Sequence, residues 1–283
     1  MVIRLDTPEL ALNDEELIER IVQERQRGIH RNYFNRIKAP WKSRVALYSH
    51  ARGNPEIVST WMEMNDPNVH DRFKNLFLSA KPYSVQKGIL EELRNRELDY
   101  CPACGEDGTP NTLDHYLPKD DYPEFSVTII NLFPMCDICQ SKKSNKTKDE
   151  LGRRLFIHPY FDSFTEQQVL ILNITAPFNA PTSISLMPNP EIPAPESNLI
   201  IRHINGLALP ERYYRYFKAN YIRLLRLVRS IRAQGRDVRN QLEQFRASCL
   251  LKSINSWGYI FYDGVLRNEE LMEYLISGDI PSV

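Results

Sequence analysis

Cys101-Pro-Ala-Cys104 and Cys136-Asp-Ile-Cys139 each set two thiols on one tight turn. The 31 residues between the pairs are enough for the chain to return and complete a tetrahedron of sulfur around a zinc ion. Four thiolates close the coordination shell, so such a zinc is structural and is not itself the catalyst. A redox role fits less well, because no thioredoxin-like βαβ pattern surrounds either pair. In a reducing compartment two CxxC units read as a metal site before they read as disulfides.

The segment between the pairs, LDHYLPKDDYPEFSVTIINLFPM, carries a second kind of chemistry in Asp114-His115. A histidine titrates near working pH and can take a proton, and a carboxylate is a hard ligand for a divalent cation. On a regular strand adjacent side chains point to opposite faces, so both serve one site only if the backbone bends. Asn131 follows 16 residues after His115, and after the second CxxC come Gln140 and the lysines Lys142-Lys143, which read as a helix start.

The order CPACG, LDHYLPK, YPEFSV, NLFPMC, CDICQSKK resembles the HNH endonucleases of the His-Me finger group, in particular their zinc-bearing members. The likeness covers about 45 residues, Cys101 to Asn145. It implies a ββα-metal core in which His115 is the general base for the attacking water and Asp114 binds a catalytic Mg²⁺ or Mn²⁺. Asn131 would tie the hairpin together and help orient the histidine. Gln140 falls where the family has its second metal ligand, usually Asn or His. Glutamine keeps the amide oxygen but on a stem one methylene longer, and octahedral Mg²⁺ is intolerant of such changes. Asn145, expected further along the same helix, is a substitute ligand. The reaction implied is one-metal hydrolysis of a phosphodiester, with charge offset at the phosphoryl oxygens.

Lys142, Lys143, Lys146, Lys148, Arg153 and Arg154 crowd the stretch behind the second CxxC, opposed by Asp149 and Glu150. Beside a phosphodiester site this is a backbone-contact patch for nucleic acid, DNA first. His158, in FIHPYFD, reads as a histidine that simply satisfies a hydrogen bond, with a supporting role behind the site or a phosphate contact as alternatives. His30, His50, His70 and His203 have no partner at a diagnostic spacing.

The elements around the module are expected to be α+β: a helical N-terminal region over 1–98, the zinc-bearing HNH module over 99–160, and an α/β region over 161–283 that binds substrate or a partner. Asn13-Asp14 is a cap for a helix carrying Leu17, Ile21 and Val22, and further helices are expected near 56–64, 69–79 and 83–98, punctuated by Pro40, Pro55, Pro67 and Pro82. Residues 169–172 and 183–187 alternate as strands. Tyr213, Phe217, Tyr221, Leu224, Val228 and Ile231 define one apolar helical face, and a second helix is expected from about Asp237 to Trp257 after a break at Gly235. Arg215, Arg223, Arg226, Arg229 and Arg232 on the first of these read mainly as a solvated face.

Lys plus Arg and Asp plus Glu number 36 each, so nucleic-acid binding must rest on a local patch and not on a global field. The N-terminus lacks an apolar signal-peptide stretch and no run of about 18 apolar residues could span a bilayer, which points to the cytoplasm. The family resemblance implies a bacterial restriction or anti-phage effector working beside an ATPase or other defence protein. Two competing readings stay open: a zinc-stapled module that has lost catalysis and only docks on nucleic acid or protein, and an RNA-cleaving toxin.

Overall fold

The computed structural model describes residues 2–181 and 183–281. The chain divides into two compact units, one built from residues 5–98 and 110–162, the other from residues 1–4, 99–109 and 163–283. Helices dominate both, and each holds one small antiparallel sheet, so the fold class is α+β.

The first unit begins with α1 (Asp14–Glu24), which starts where the sequence predicts. The Asn13 side chain accepts the Glu16 amide at 3.0 Å, and the Glu16 carboxylate accepts the Asn13 amide at 2.9 Å, a reciprocal cap that leaves Leu17, Ile18, Ile21 and Val22 to face inward. Next comes α2 (Arg31–His50), with Pro40 inside it and not between helices as expected. Proline removes one backbone donor. Here it stands on the exposed side, while Phe34, Ile37, Trp41, Val45 and Tyr48 bury one continuous stripe across it, and that packing outweighs the lost bond.

The helix expected near 56–64 is absent. The Ser59 carbonyl accepts Arg44 Nη2 at 2.5 Å, not a helical N–H, and the chain regains only a 3-10 turn at Met62–Asn65. The helices α3 (Pro67–Leu78) and α4 (Val85–Arg94) follow, α3 with Asp66 as its cap and Pro67 in its first turn.

Strand β1 (Thr112–His115) pairs antiparallel with β2 (Leu132–Met135), in a register that sets Asp114 opposite Phe133 and His115 opposite Leu132. A short helix, α5 (Asp137–Lys143), comes straight out of β2. Lys142 and Lys143 therefore end a helix and do not start one. Ser144 has φ 49° and ψ −136°, which stops α5 and puts Asn145 beyond it, where its amide donates to Asp120 at 3.2 Å.

In the second unit the strands expected at 169–172 and 183–187 are β3 (Leu170–Ile174) and β4 (Ile184–Pro188), which pair antiparallel as a hairpin. They precede α6 (Ala194–Gly206) and α7 (Leu209–Ala233), and all six residues of the apolar face read from the sequence are buried on α7. Arg232 turns from that helix to donate to the carbonyls of Tyr274, Leu275 and Gly278, each at 2.8 Å, so at least this arginine is a structural anchor. The segment expected as one helix to Trp257 is two. After α8 (Val238–Leu250) the chain turns, because Asn255 accepts the Val169 amide and donates to the Thr165 and Gln167 carbonyls, and Ser256 caps α9 (Trp257–Arg267). The chain closes with α10 (Glu269–Ser277), capped by Asn268. Among the described residues no helix is long and apolar enough to cross a membrane.

Candidate active site and metal centre

The turn carrying the first cysteine pair is fixed by its own backbone: the amides of Cys104 and Gly105 both donate to the Cys101 carbonyl, and Gly105 takes φ 70°, a conformation glycine adopts without strain. The second pair starts α5, with the Cys139 amide donating to Cys136 Sγ at 3.4 Å. The ligand atoms of Cys101, Cys104, Cys136 and Cys139 all lie within 4.8 Å of one another, and Cys101, Cys104 and Cys139 are buried. Arg212 Nη2 stands 3.6 Å from Cys104 Sγ. N–H donors facing sulfur suit thiolates, and the Arg212 guanidinium, which is also paired with Glu106, donates to one of them. The four cysteines therefore fit a zinc ion.

Asp114 and His115 end β1 and are both buried. His115 Nε2 lies 2.9 Å from the Ser126 carbonyl, which accepts only, so in the neutral ring Nε2 carries the proton and Nδ1 keeps its lone pair. No hydrogen bond among the described residues uses Nδ1. Burial lowers the imidazole to about 4, partly opposed by the adjacent Asp114 carboxylate, so the ring is neutral at pH 7. Phe77 packs edge-on against it with ring centroids 4.5 Å apart.

The carbonyl that holds His115 belongs to the long connection from β1 to β2, and Asn131 is what shapes that connection. Its Oδ1 accepts the Leu117 amide at 2.8 Å and the Tyr48 hydroxyl at 2.9 Å. Its Nδ2 donates to the Leu117 and Phe125 carbonyls at 3.0 and 3.1 Å. Asn131 is wholly buried with every one of these bonds internal, so it positions the loop and cannot touch a substrate.

Gln140 lies one turn into α5, and its amide nitrogen is 3.3 Å from Asp114 Oδ1. Lys143, read from the sequence as part of a surface patch, is instead 2% exposed. Its ammonium donates to the His115 carbonyl at 2.6 Å and stands 3.0 Å from Asp114 Oδ2. That second contact lacks hydrogen-bond geometry, leaving Oδ2 paired by charge alone. A buried ammonium is tolerated when a carboxylate and a carbonyl compensate it. Asp114, His115 and Gln140 thus come together at the junction of β1 and α5, and Lys143 joins them.

The rest of the basic run is thinner than its composition suggests. Arg153 pairs with Asp149 at 2.8 Å and Arg154 with Asp162 at 3.0 Å, so their charge is locally neutralised. Lys142, Lys146 and Lys148 are exposed and carry no ion pair among the described residues. His158 is fully buried, which removes the phosphate-contact reading. Its Nδ1 accepts the Tyr160 amide at 3.2 Å, leaving Nε2–H to donate to the Tyr48 hydroxyl at 3.0 Å.

Two curated proteins resemble part of this chain. Over 74 residues it is 43% identical to Protein ea31 of Escherichia phage lambda, a match covering 24% of each chain. Over 65 residues it is 38% identical to Septu protein PtuB of Bacillus thuringiensis, covering 23% of this chain and 24% of that protein. The chain thus spans about a quarter of the length of the curated relatives it matches. No protein-family model matches, and no solved structure does.

Sequence reasoning missed the residues that hold the site from behind. His203 has no telling spacing, yet it is buried with Nε2 2.8 Å from the Ala103 carbonyl in the first cysteine turn, and Trp257 Nε1 donates to the Cys104 carbonyl at 2.6 Å. Tyr48 joins Asn131 to His158 from the middle of a helix. Gly53 was equally silent: it takes φ 66°, and a Cβ there would stand 2.8 Å from the Tyr48 hydroxyl oxygen. The contacts of His203, Trp257 and Tyr48 span tens of residues, and no local pattern announces them.

Proposed function

We propose that this chain is a phosphodiester hydrolase of the HNH type, cutting DNA in anti-phage defence. The observation that carries the reading is the state of His115: neutral, held through Nε2 by the Ser126 carbonyl, with the Nδ1 lone pair unused beside Asp114. A general base for water needs an unprotonated nitrogen with a free lone pair, and the Asp114 carboxylate beside the ring opposes the lowering that burial causes. The β1–β2–α5 order supports reading this region as a ββα-metal finger with Asp114 and Gln140 as its ligand pair.

In kind, these residues fit a divalent cation, since a carboxylate and a side-chain amide both offer hard oxygen. Mg²⁺ or Mn²⁺ would be held by Asp114 and Gln140, and when bound it supplies charge neutralisation at the phosphoryl oxygens. Gln140 presents its amide N–H to Asp114 in the structure, so it must turn its amide over to offer oxygen. His115 orients and deprotonates the water, Asn131 keeps the Ser126 carbonyl in position through the loop, and Lys142, Lys146 and Lys148 bind backbone phosphates. The likeness to a Septu protein supports the defence setting, and with it a partner protein from the same defence system and a cytoplasmic location.

A second reading has its own observation: both Asp114 oxygens already face protein donors, Gln140 and Lys143. That arrangement favours a zinc-stapled module that docks on nucleic acid without cutting it. Incubating the purified protein with supercoiled plasmid and with structured RNA, each with Mg²⁺ or Mn²⁺, separates the readings. Hydrolysis by the wild type that falls by about two to four orders of magnitude in His115→Ala is expected for a lost general base. Intact plasmid in both metals, alongside retained plasmid binding, would leave only the docking module. Loss of RNA alone would redirect the assignment to an RNA-cleaving enzyme.

A further inference from the structure

A cavity of about 440 Å³ opens in the unit of residues 5–98 and 110–162, between the end of α1, the start of α2, α3 and the first turn of α4. This is the size range of small-molecule sites. Nothing in the proposed hydrolytic chemistry uses it.

Three of its features point to one kind of ligand. Arg72 and Lys81 line it, and neither takes part in an ion pair among the described residues. The carboxylate of Glu24, which also lines it, is engaged by the Val85 amide at 2.9 Å. Gln86 is 2% exposed, and its Oε1 is buried with no hydrogen-bond partner, although buried amide oxygens are nearly always paired. Leu76 and the almost fully exposed Ile29 add apolar surface.

Two cations without an ion-pair partner, Arg72 resting on the Tyr33 ring at 4.8 Å, suit an anion, and an orphaned carbonyl oxygen calls for an N–H or O–H donor. Inorganic phosphate meets the first need but has no face for the apolar surface of Leu76 and Ile29, and a purely apolar molecule meets neither polar need. We propose that the cavity binds a nucleoside monophosphate, with the phosphate at Arg72 and Lys81, the exocyclic amino group of the base donating to Gln86 Oε1, and the base against Leu76 and Ile29. The binding is independent of whether His115 hydrolyses anything.

Titration calorimetry of the full chain with AMP, adenosine and inorganic phosphate tests this. AMP is expected to bind with a Kd below about 100 µM, and adenosine and phosphate each at least about tenfold more weakly. Lys81 is exposed, so Lys81→Ala leaves folding intact and should weaken AMP by about tenfold, as should Arg72→Met. Gln86→Leu should weaken AMP but not phosphate, with an unchanged circular dichroism spectrum as the folding control. No AMP binding at about 1 mM overturns the proposal. So does phosphate binding as tightly as AMP, or affinity that ignores both Lys81→Ala and Arg72→Met.

Discussion

Two buried histidines lie in the same unit, and their surroundings differ in one respect. Around His158 every polar atom is spent: Nδ1 on the Tyr160 amide, Nε2 on Tyr48, Tyr48 on Asn131, and Asn131 on the loop. Around His115 one nitrogen is spent on the Ser126 carbonyl and the other is spare. Burial lowers both imidazoles, so acidity alone does not tell them apart. The count of unused lone pairs does. A fully satisfied network is architecture, whereas a rigid group with one vacant acceptor is prepared to receive a proton.

The largest perturbation is at the metal centre. Cys136→Ser should lose its zinc and unfold the β2–α5 segment, because metal-binding energy here is folding energy, about 10 kcal/mol or more in small zinc modules. Zinc content by mass spectrometry and the melting curve check this, and a variant that keeps both rejects the four-ligand centre. Next, Lys143→Met should cost roughly 3–5 kcal/mol in denaturant unfolding by leaving the Asp114 carboxylate uncompensated. It touches the His115 side of the comparison and should spare the His158 side.

A pH series comes third. His115 titrates at about 4 when folded, against 6.5 when free, so the unfolded chain binds the extra proton between those values. Stability is therefore fully present above pH 6.5 and falls as the pH drops toward 4, by on the order of 3 kcal/mol from this group. His115→Gln should reduce that slope, leaving the part that His158 contributes, whose imidazole burial also lowers. An unchanged slope would mean the imidazole is not held neutral. The smallest effect is Tyr48→Phe, expected to cost about 1 kcal/mol by removing a hydroxyl from between His158 and Asn131, with activity per folded molecule retained. A selective loss of activity would erase the distinction between the two regions.

Much of the candidate site is legible in the sequence because its signals are local. A CxxC pair specifies a turn, Asn13 with Glu16 specifies a cap, and the apolar positions of α7 repeat at helical spacing. What stayed hidden depends on contacts between distant residues. Lys143 reads as one lysine among many until Asp114, 29 residues earlier, is found 3.0 Å away. Asn145 reads as helical until Ser144 turns the backbone. Pro40 reads as a helix break because its neighbours' burial is invisible in composition. His203 and Trp257 support the first cysteine turn from about a hundred and a hundred and fifty residues away.

The helix α5 is seven residues long, too short to persist in water by itself. Its order is borrowed from Lys143 at one end and Cys136 and Cys139 at the other. The amides of residues 137–143 should therefore exchange with solvent as one cooperative block, slow while the zinc is held and fast when a chelator removes it. Amide exchange along that block would then report on the integrity of the whole junction without any substrate being known.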